Sequence, residues 1–198
     1  MTELPDLTQA FERSGLLDVA YTLEDSPVGR LLLAATPRGL ARVAYLGEGE
    51  EPGAGDSTGE VGEDEVLTDL SRRLSPRIVR APSRLDATRR ELELFFSGKL
   101  TSFEIPIDWR LTRPGFMRAV LRATKAIPFG ETSNYRGVAT AAGSPRAFRA
   151  AGTALGSNPL PIVVPCHRVL HTGGGLGGYT GGLARKRVLL TVEGHQLR

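Results

Sequence analysis

Ser-Asn-Tyr-Arg-Gly-Val-Ala-Thr-Ala-Ala-Gly-Ser-Pro-Arg-Ala-Phe-Arg-Ala-Ala-Gly-Thr-Ala-Leu, residues 133–155, is the stretch on which the fold turns. Ser133 reads as the cap of a helix running to Ala142, with Gly143 as its stop, and Ser144 and Pro145 read as the N-cap and first residue of a second helix reaching Leu155. Two helices joined by a Gly-Ser turn carry a helix-turn-helix signature. The second holds Arg146 and Arg149 among Ala147, Ala150, Ala151, Gly152 and Ala154, small side chains that let a backbone approach a groove closely. Gly137, inside the first helix, costs about 1 kcal/mol against alanine with no purpose visible in the sequence.

Upstream of this pair, Phe116, Met117, Val120, Leu121 and Ile127 form the apolar side of a helix ending before Pro128, and the character of the chain changes around Arg110–Pro114. We therefore expect two domains, 1–111 and 112–198. The first reads as mixed α/β. Strand-like segments at 18–23, 30–35 and 40–45 are separated by Ser-Pro-Val-Gly and Thr-Pro-Arg-Gly turns. A short helix is expected at 66–74 and a longer one at 85–96, with Leu85, Leu92, Phe95 and Phe96 on one side and Gly98 as its stop. Phe103, Ile105 and Ile107 alternate as in a strand. Between these elements, 47–65 holds six glycines, eight acids and no base, which reads as a flexible acidic loop. The second domain is mostly helical and ends in a basic helix at 183–193.

Charge separates the same halves. Residues 1–111 carry 13 Lys and Arg against 20 Asp and Glu, whereas residues 112–198 carry 12 against 2. A net of +10 in the last 87 residues points to a polyanionic partner, with nucleic acid the expected one. A chain with one cysteine forms no internal disulfide, which suits a reducing cytoplasm. The first residues lack a basic and apolar leader, and no stretch approaches 18 apolar residues, so neither a signal peptide nor a membrane span is expected. No metal is expected either. All three histidines, His167, His171 and His195, lie beyond the cysteine, and the glycines after His171 argue against an i, i+4 helical ligand pair.

That cysteine, Cys166, stands in Pro-Ile-Val-Val-Pro-Cys-His-Arg-Val-Leu, residues 161–170. An adjacent imidazole can lower a thiol pKa from about 8.5 to roughly 3.5–7.5, so His167 makes Cys166 a candidate nucleophile. Glu193 ends a helix, where a carboxylate opposes the helix dipole, so some other group should hold it there. Cysteine, histidine and glutamate would then be nucleophile, base and orienter.

Pro-Cys-His-Arg, the upstream Gly-Ser-Asn-Pro and the downstream Gly-Gly-Tyr-Thr-Gly-Gly-Leu resemble, in residues and spacing, the O6-alkylguanine-DNA alkyltransferases, which repair alkylated DNA. The resemblance implies a ribonuclease H-like N-terminal domain and a helix-turn-helix or winged-helix-like C-terminal one. It implies that Cys166 takes the alkyl group irreversibly, with His167 reaching the sulfur through a water and Glu193 orienting His167. Asn158 braces the active-site turn, although on its residues alone an Asn-Pro pair is an ordinary turn. Tyr135 rotates the 3′ phosphate and hydrogen-bonds guanine N3, and Arg149 fills the gap left by a flipped base. Ser144 and Ala147 are expected to meet the minor groove with it.

Tyr179, Thr180, Val169 and Ser157 are expected to line the guanine pocket. Serine is frequent in relatives where this chain has Thr180, and arginine or glycine where it has Ser157. The implied partner is duplex DNA bearing O6-alkylguanine, with O4-alkylthymine a further substrate, and no cofactor or obligate protein partner is implied. Some relatives hold zinc in the N-terminal domain, which this chain, with no Cys or His before Cys166, should not. Two other classes compete on the residues: a helix-turn-helix module that recognises lesions or operators without chemistry, and a Cys-His-Glu hydrolase that needs no DNA.

Overall fold

A computed structural model describes residues 17–47 and 61–195. A four-stranded sheet has the order β3-β2-β1-β4, from β1 (Val19–Glu24), β2 (Leu31–Thr36), β3 (Gly39–Tyr45) and β4 (Ile78–Arg80). The first three strands form the expected antiparallel meander, and β4 joins β1 in parallel. Leu31, Leu32, Leu33 and Ala34 are all buried, which requires cover on both faces because successive side chains of a strand point oppositely. Leu32 and Ala34 pack with Val66 and Leu70 of helix α1 (Glu63–Arg73). Leu31 and Leu33 share the larger core with Leu85, Leu92 and Phe95, which border or belong to helix α2 (Asp86–Phe96).

The same core continues into the C-terminal half, through Val120 and Leu121 of helix α3 (Phe116–Lys125), Val138 and Ala139 of α4 (Tyr135–Ala141) and Ala151 and Ala154 of α5 (Phe148–Gly156). Helix α6 (Leu183–Val192) adds Leu189, and a two-stranded parallel ladder pairs β5 (Ser133–Asn134) with β6 (Val169–Leu170). The fold is thus a mixed sheet with helices followed by a largely helical C-terminal half.

Several boundaries differ from expectation for identifiable reasons. The expected strand at 103–107 shrinks to one bridge, Leu40 to Ile107, although Phe103 and Ile105 are buried as their alternation implied. Pro106 cannot donate to a ladder, so the segment crosses the end of β3 rather than extending the sheet. At that crossing Gly39 has φ +128°, and a Cβ there would lie 2.2 Å from the Pro106 carbonyl oxygen. Helix α1 starts at Glu63, inside the segment expected to be a loop. The rest of that acidic stretch, residues 48–60, lies outside the described residues. Strand β4 was not foreseen.

Ser133 is not the cap of α4. It pairs with Val169, which leaves Asn134 as the last non-helical residue, and the Asn134 side chain accepts from Gly137 N–H at 2.8 Å. Gly137 now has a reason: a Cβ there would sit 2.7 Å from Ser133 Oγ. Nor does α5 begin at Pro145. Ser144 N–H donates to the Ala139 carbonyl and Gly143 N–H to that of Thr140, closing α4 with Gly143 at φ +84°. This double closure commits Ser144 to ending one helix rather than capping the next. A turn follows, and α5 starts at Phe148.

Candidate functional site

The segment 159–165 delivers the cysteine. Leu160, Ile162, Val163 and Val164 are buried, and the Val43 N–H of β3 donates to the Pro159 carbonyl at 2.9 Å, tying this turn to the sheet. Ile162 has φ +74°, which for a β-branched residue costs on the order of 1–3 kcal/mol and persists only when the surroundings enforce it. Asn158 is one enforcing element. Its Nδ2 donates to the Val164 carbonyl at 2.8 Å and to Cys166 Sγ at 3.2 Å, while its Oδ1 accepts from Leu160 N–H at 3.0 Å.

The chain then makes a 3-10 turn over Cys166–Arg168. His167 Nε2 lies 2.8 Å from Glu193 Oε1. Arg168, also buried, donates to both oxygens of that carboxylate through Nε and Nη2. The guanidinium and imidazole thus hold the carboxylate that the helix dipole would disfavour. His167 Nδ1 is buried without a hydrogen bond from any described group.

Burial would raise the Glu193 carboxyl, but His167 and Arg168 together hold it below the usual range. Burial pushes His167 below its ordinary value, and Glu193 only partly offsets that. The direction we adopt is a neutral imidazole beside an ionised carboxylate, since Arg168 already neutralises Glu193. Burial also pushes the Cys166 thiol up, against the Asn158 hydrogen bond and the Lys186 charge that pull it down. This corrects the expectation of a thiol made anionic by its neighbour: a neutral, buried imidazole offers no charge to stabilise a thiolate, so the resting group is a thiol.

Cys166 is 8% exposed and lines an open cleft of about 750 Å³. Tyr135, Arg149, Tyr179 and Thr180 line the same cleft, so the structure gathers five of the twelve expected residues there, with His167, Glu193 and Asn158 packed behind. Burial raises the Tyr135 hydroxyl pKa, which keeps it a proton donor. Arg149 is exposed at the start of α5, over the Phe148 ring at 5.8 Å. Four others stand off the cleft lining. Ser144 and Ala147 lie in the turn before α5, Ser157 caps the end of α5 by donating to the Ala154 carbonyl, and Val169 is buried with its carbonyl accepting from Lys186 Nζ at 2.7 Å.

Four contributors were not anticipated. Arg168 and Lys186 are buried cations, His171 faces Tyr135 in the cleft with ring centroids 5.4 Å apart, and Tyr45 reaches Tyr179 from the sheet. Lys186 had a signal. It reads as one of the run Arg185-Lys186-Arg187, but positions 186, 189, 190 and 193 share a helical face, and all four are buried. Burial lowers its pKa to about 8. No group of metal-binding residues occurs among the described residues, and no described helix is long and apolar enough to cross a membrane.

Comparison with known proteins gives consistent relatives. The family described as 6-O-methylguanine DNA methyltransferase, DNA binding domain, matches residues 115–195. The methylated-DNA–protein-cysteine methyltransferase of Methanosarcina barkeri is 35% identical, the match covering 90% of this chain and 99% of that protein. The one from Mycolicibacterium paratuberculosis is 38% identical, over 88% and 92%. Among solved structures, Mycobacterium tuberculosis OGT in complex with DNA superposes with a TM-score of 0.68 at 34% identity, covering 88% of this chain and 93% of that one.

Proposed function

Because the chain belongs to the methylated-DNA–protein-cysteine methyltransferase family, we propose that it repairs DNA by moving an alkyl group from guanine O6 onto its own Cys166. The observation that carries this reading is the thiol itself, at the wall of an open cleft, hydrogen-bonded by Asn158 and backed by the buried His167–Glu193 pair.

In this mechanism the thiol proton leaves toward His167 Nδ1, relayed by a water, and Glu193 stabilises the imidazolium that forms. Sulfur attacks the alkyl carbon, the C–O bond breaks, and its electron pair passes to guanine. The Tyr135 hydroxyl delivers the proton that the leaving base takes up. His167 then gives the thiol proton up through solvent to reprotonate Tyr135, so the net result is S-alkylcysteine and guanine with both side chains restored. A thioether is not hydrolysed by any group in the cleft, so each molecule acts once. Because burial keeps the resting thiol protonated, deprotonation belongs to the encounter with substrate rather than to the free protein.

The lesion is reached by flipping the nucleotide, at a cost of a few kcal/mol that Arg149 partly offsets by entering the vacated stack. We read α4 and α5 as a helix-turn-helix or winged-helix-like unit on the minor groove, with Ser144 and Ala147 near the backbone. Residues 1–111 then form a ribonuclease H-like domain and 112–198 the transfer domain. Tyr179 and Thr180 frame the base, with Ser157 at the rim and the Val169 carbonyl shared between Lys186 and the exocyclic amine. O4-alkylthymine presents the same alkoxy carbon and is the next substrate expected. A reducing cytoplasm suits a protein that needs its thiol intact.

Titration with duplex containing O6-methylguanine tests the reading. Methyl loss from DNA is expected to stop at one group per chain, and continued turnover or no loss would overturn it. For Arg149→Ala we expect repair of duplex to slow about 10- to 100-fold, from a lost stacking contact worth ~1–3 kcal/mol. Attack on free O6-methylguanine base, which has no stack to leave, should be nearly unchanged, and equal losses on both substrates would remove Arg149 from flipping.

A further inference from the structure

We propose that Tyr45 sets which alkyl groups Cys166 accepts, by holding the Tyr179 ring as a fixed wall of the site. This rests on the reading of Cys166 as the alkyl acceptor and adds a selectivity residue from β3, outside the DNA-binding domain matched at residues 115–195. The Tyr45 and Tyr179 hydroxyls lie 2.7 Å apart, across 134 positions of sequence, with the rings edge to face at 6.4 Å between centroids.

The pair is itself braced. The Arg185 guanidinium stacks on Tyr45 at 4.7 Å while Nε donates to the Val28 carbonyl at 2.6 Å and Nη1 to that of Gly181 at 3.1 Å. Gly181 passes so close that a Cβ there would lie 2.5 Å from the Tyr45 ring and 2.7 Å from the Tyr179 ring. Sheet, phenol pair and glycine turn are thereby packed with no slack, and Tyr179 has little freedom to swing.

Its position matters because two spaces meet at it. Cys166, Tyr179 and Thr180 line both the 750 Å³ cleft and a second cavity of only about 50 Å³, which Tyr45, Pro161 and Gly181 help to close. The cleft has room for a base, whereas the small cavity holds only a few heavy atoms, since one water needs roughly 10–15 Å³ on the same measure. A methyl group fits such a space and a benzyl group does not. Sliding or removing the wall would merge the two spaces and relax that preference.

The test measures single-turnover transfer to Cys166 from duplexes carrying O6-methylguanine or O6-benzylguanine, for wild type, Tyr45→Ala and Tyr45→Phe. The benzyl-to-methyl rate ratio is expected to rise about tenfold in Tyr45→Ala, the low end of what a reshaped apolar pocket gives. Tyr45→Phe keeps the ring and removes only the hydroxyl that pairs with Tyr179, so a rise of about threefold is expected, equivalent to half a lost hydrogen bond. A general loss of stability would slow both substrates alike and leave the ratio where it was. Ratios within about twofold of wild type in both variants would overturn the proposal, and if Tyr45→Ala does not fold, Tyr45→Phe alone decides. Wild-type protein that transfers neither group would instead overturn the reading of Cys166, and this inference with it.

Discussion

Cys166→Ala is expected to abolish alkyl transfer while leaving duplex affinity and the fold close to wild type. The first half follows from chemistry: the sulfur is the atom that keeps the carbon, so no other side chain in the cleft substitutes for it. Removing a nucleophile of this kind costs on the order of 10⁶-fold in enzymes that act through one. The second half follows from the surroundings of the thiol. Asn158 loses Sγ as an acceptor but keeps the Val164 carbonyl and the Leu160 amide, so the turn retains its brace. The cavity left by one sulfur atom costs about 1 kcal/mol. Affinity for DNA is expected to come from the basic half and to fall with salt through counterion release in both proteins. Transfer surviving in the variant, measured as methyl lost from duplex, would remove Cys166 from the chemistry.

Glu193 substitution carries the second large effect, on stability as well as rate. Its carboxylate is the single acceptor for three donating atoms of Arg168 and His167, in surroundings closed to water. Glu193→Ala leaves the Arg168 charge buried and uncompensated, and breaking one side of such a pair costs about 3–5 kcal/mol. Against a typical total of roughly 5–15 kcal/mol, that is a substantial drop in melting temperature. Glu193→Gln keeps the shape and should fold better, yet it cannot stabilise an imidazolium, so transfer should slow about 10²- to 10⁴-fold.

The same cluster sets acid stability. The folded-state pKa of Glu193 is depressed, so its contribution is complete above about 4.5 and is lost as pH falls through its lower folded value. His167 is depressed as well, so its contribution is complete above about 6.5 and declines below that. Melting temperature should therefore decline from about pH 6.5 downward and more steeply below 4.5. The steeper part should be reduced but not lost in Glu193→Gln, because Asp18 and Asp108 are also held below their ordinary values by Ser75, Arg77, Arg110 and Thr36. A flat profile in wild type would contradict the charge assignment.

Local pattern made much of this legible in advance. The meander announced itself through two Pro-Gly turns between apolar runs, and α2, α3 and α6 through helical periodicity closed by Gly98, Pro128 and Gly194. Cys166, Tyr135, Arg149, Tyr179 and Thr180, named from the sequence, do meet at one cleft. What escaped is set by contacts between distant segments. β4 is three residues long and exists because β1 offers it an edge. The expected caps at Ser133 and Ser144 gave way to pairing with β6 and to the closure of α4. Tyr45 reads as an ordinary strand residue, and nothing near it in the sequence announces Tyr179. The thiol's protonation state was misjudged for the same reason: proximity of Cys166 and His167 along the chain says nothing of how deeply both are buried.

The most direct measurement is the mass of the Cys166 peptide after the protein has met duplex DNA containing O6-methylguanine. One added methyl group on that peptide, and on no other, is the expected result. An unmodified Cys166 in folded protein that has bound the lesion, or a methyl group found elsewhere in the chain, would contradict it.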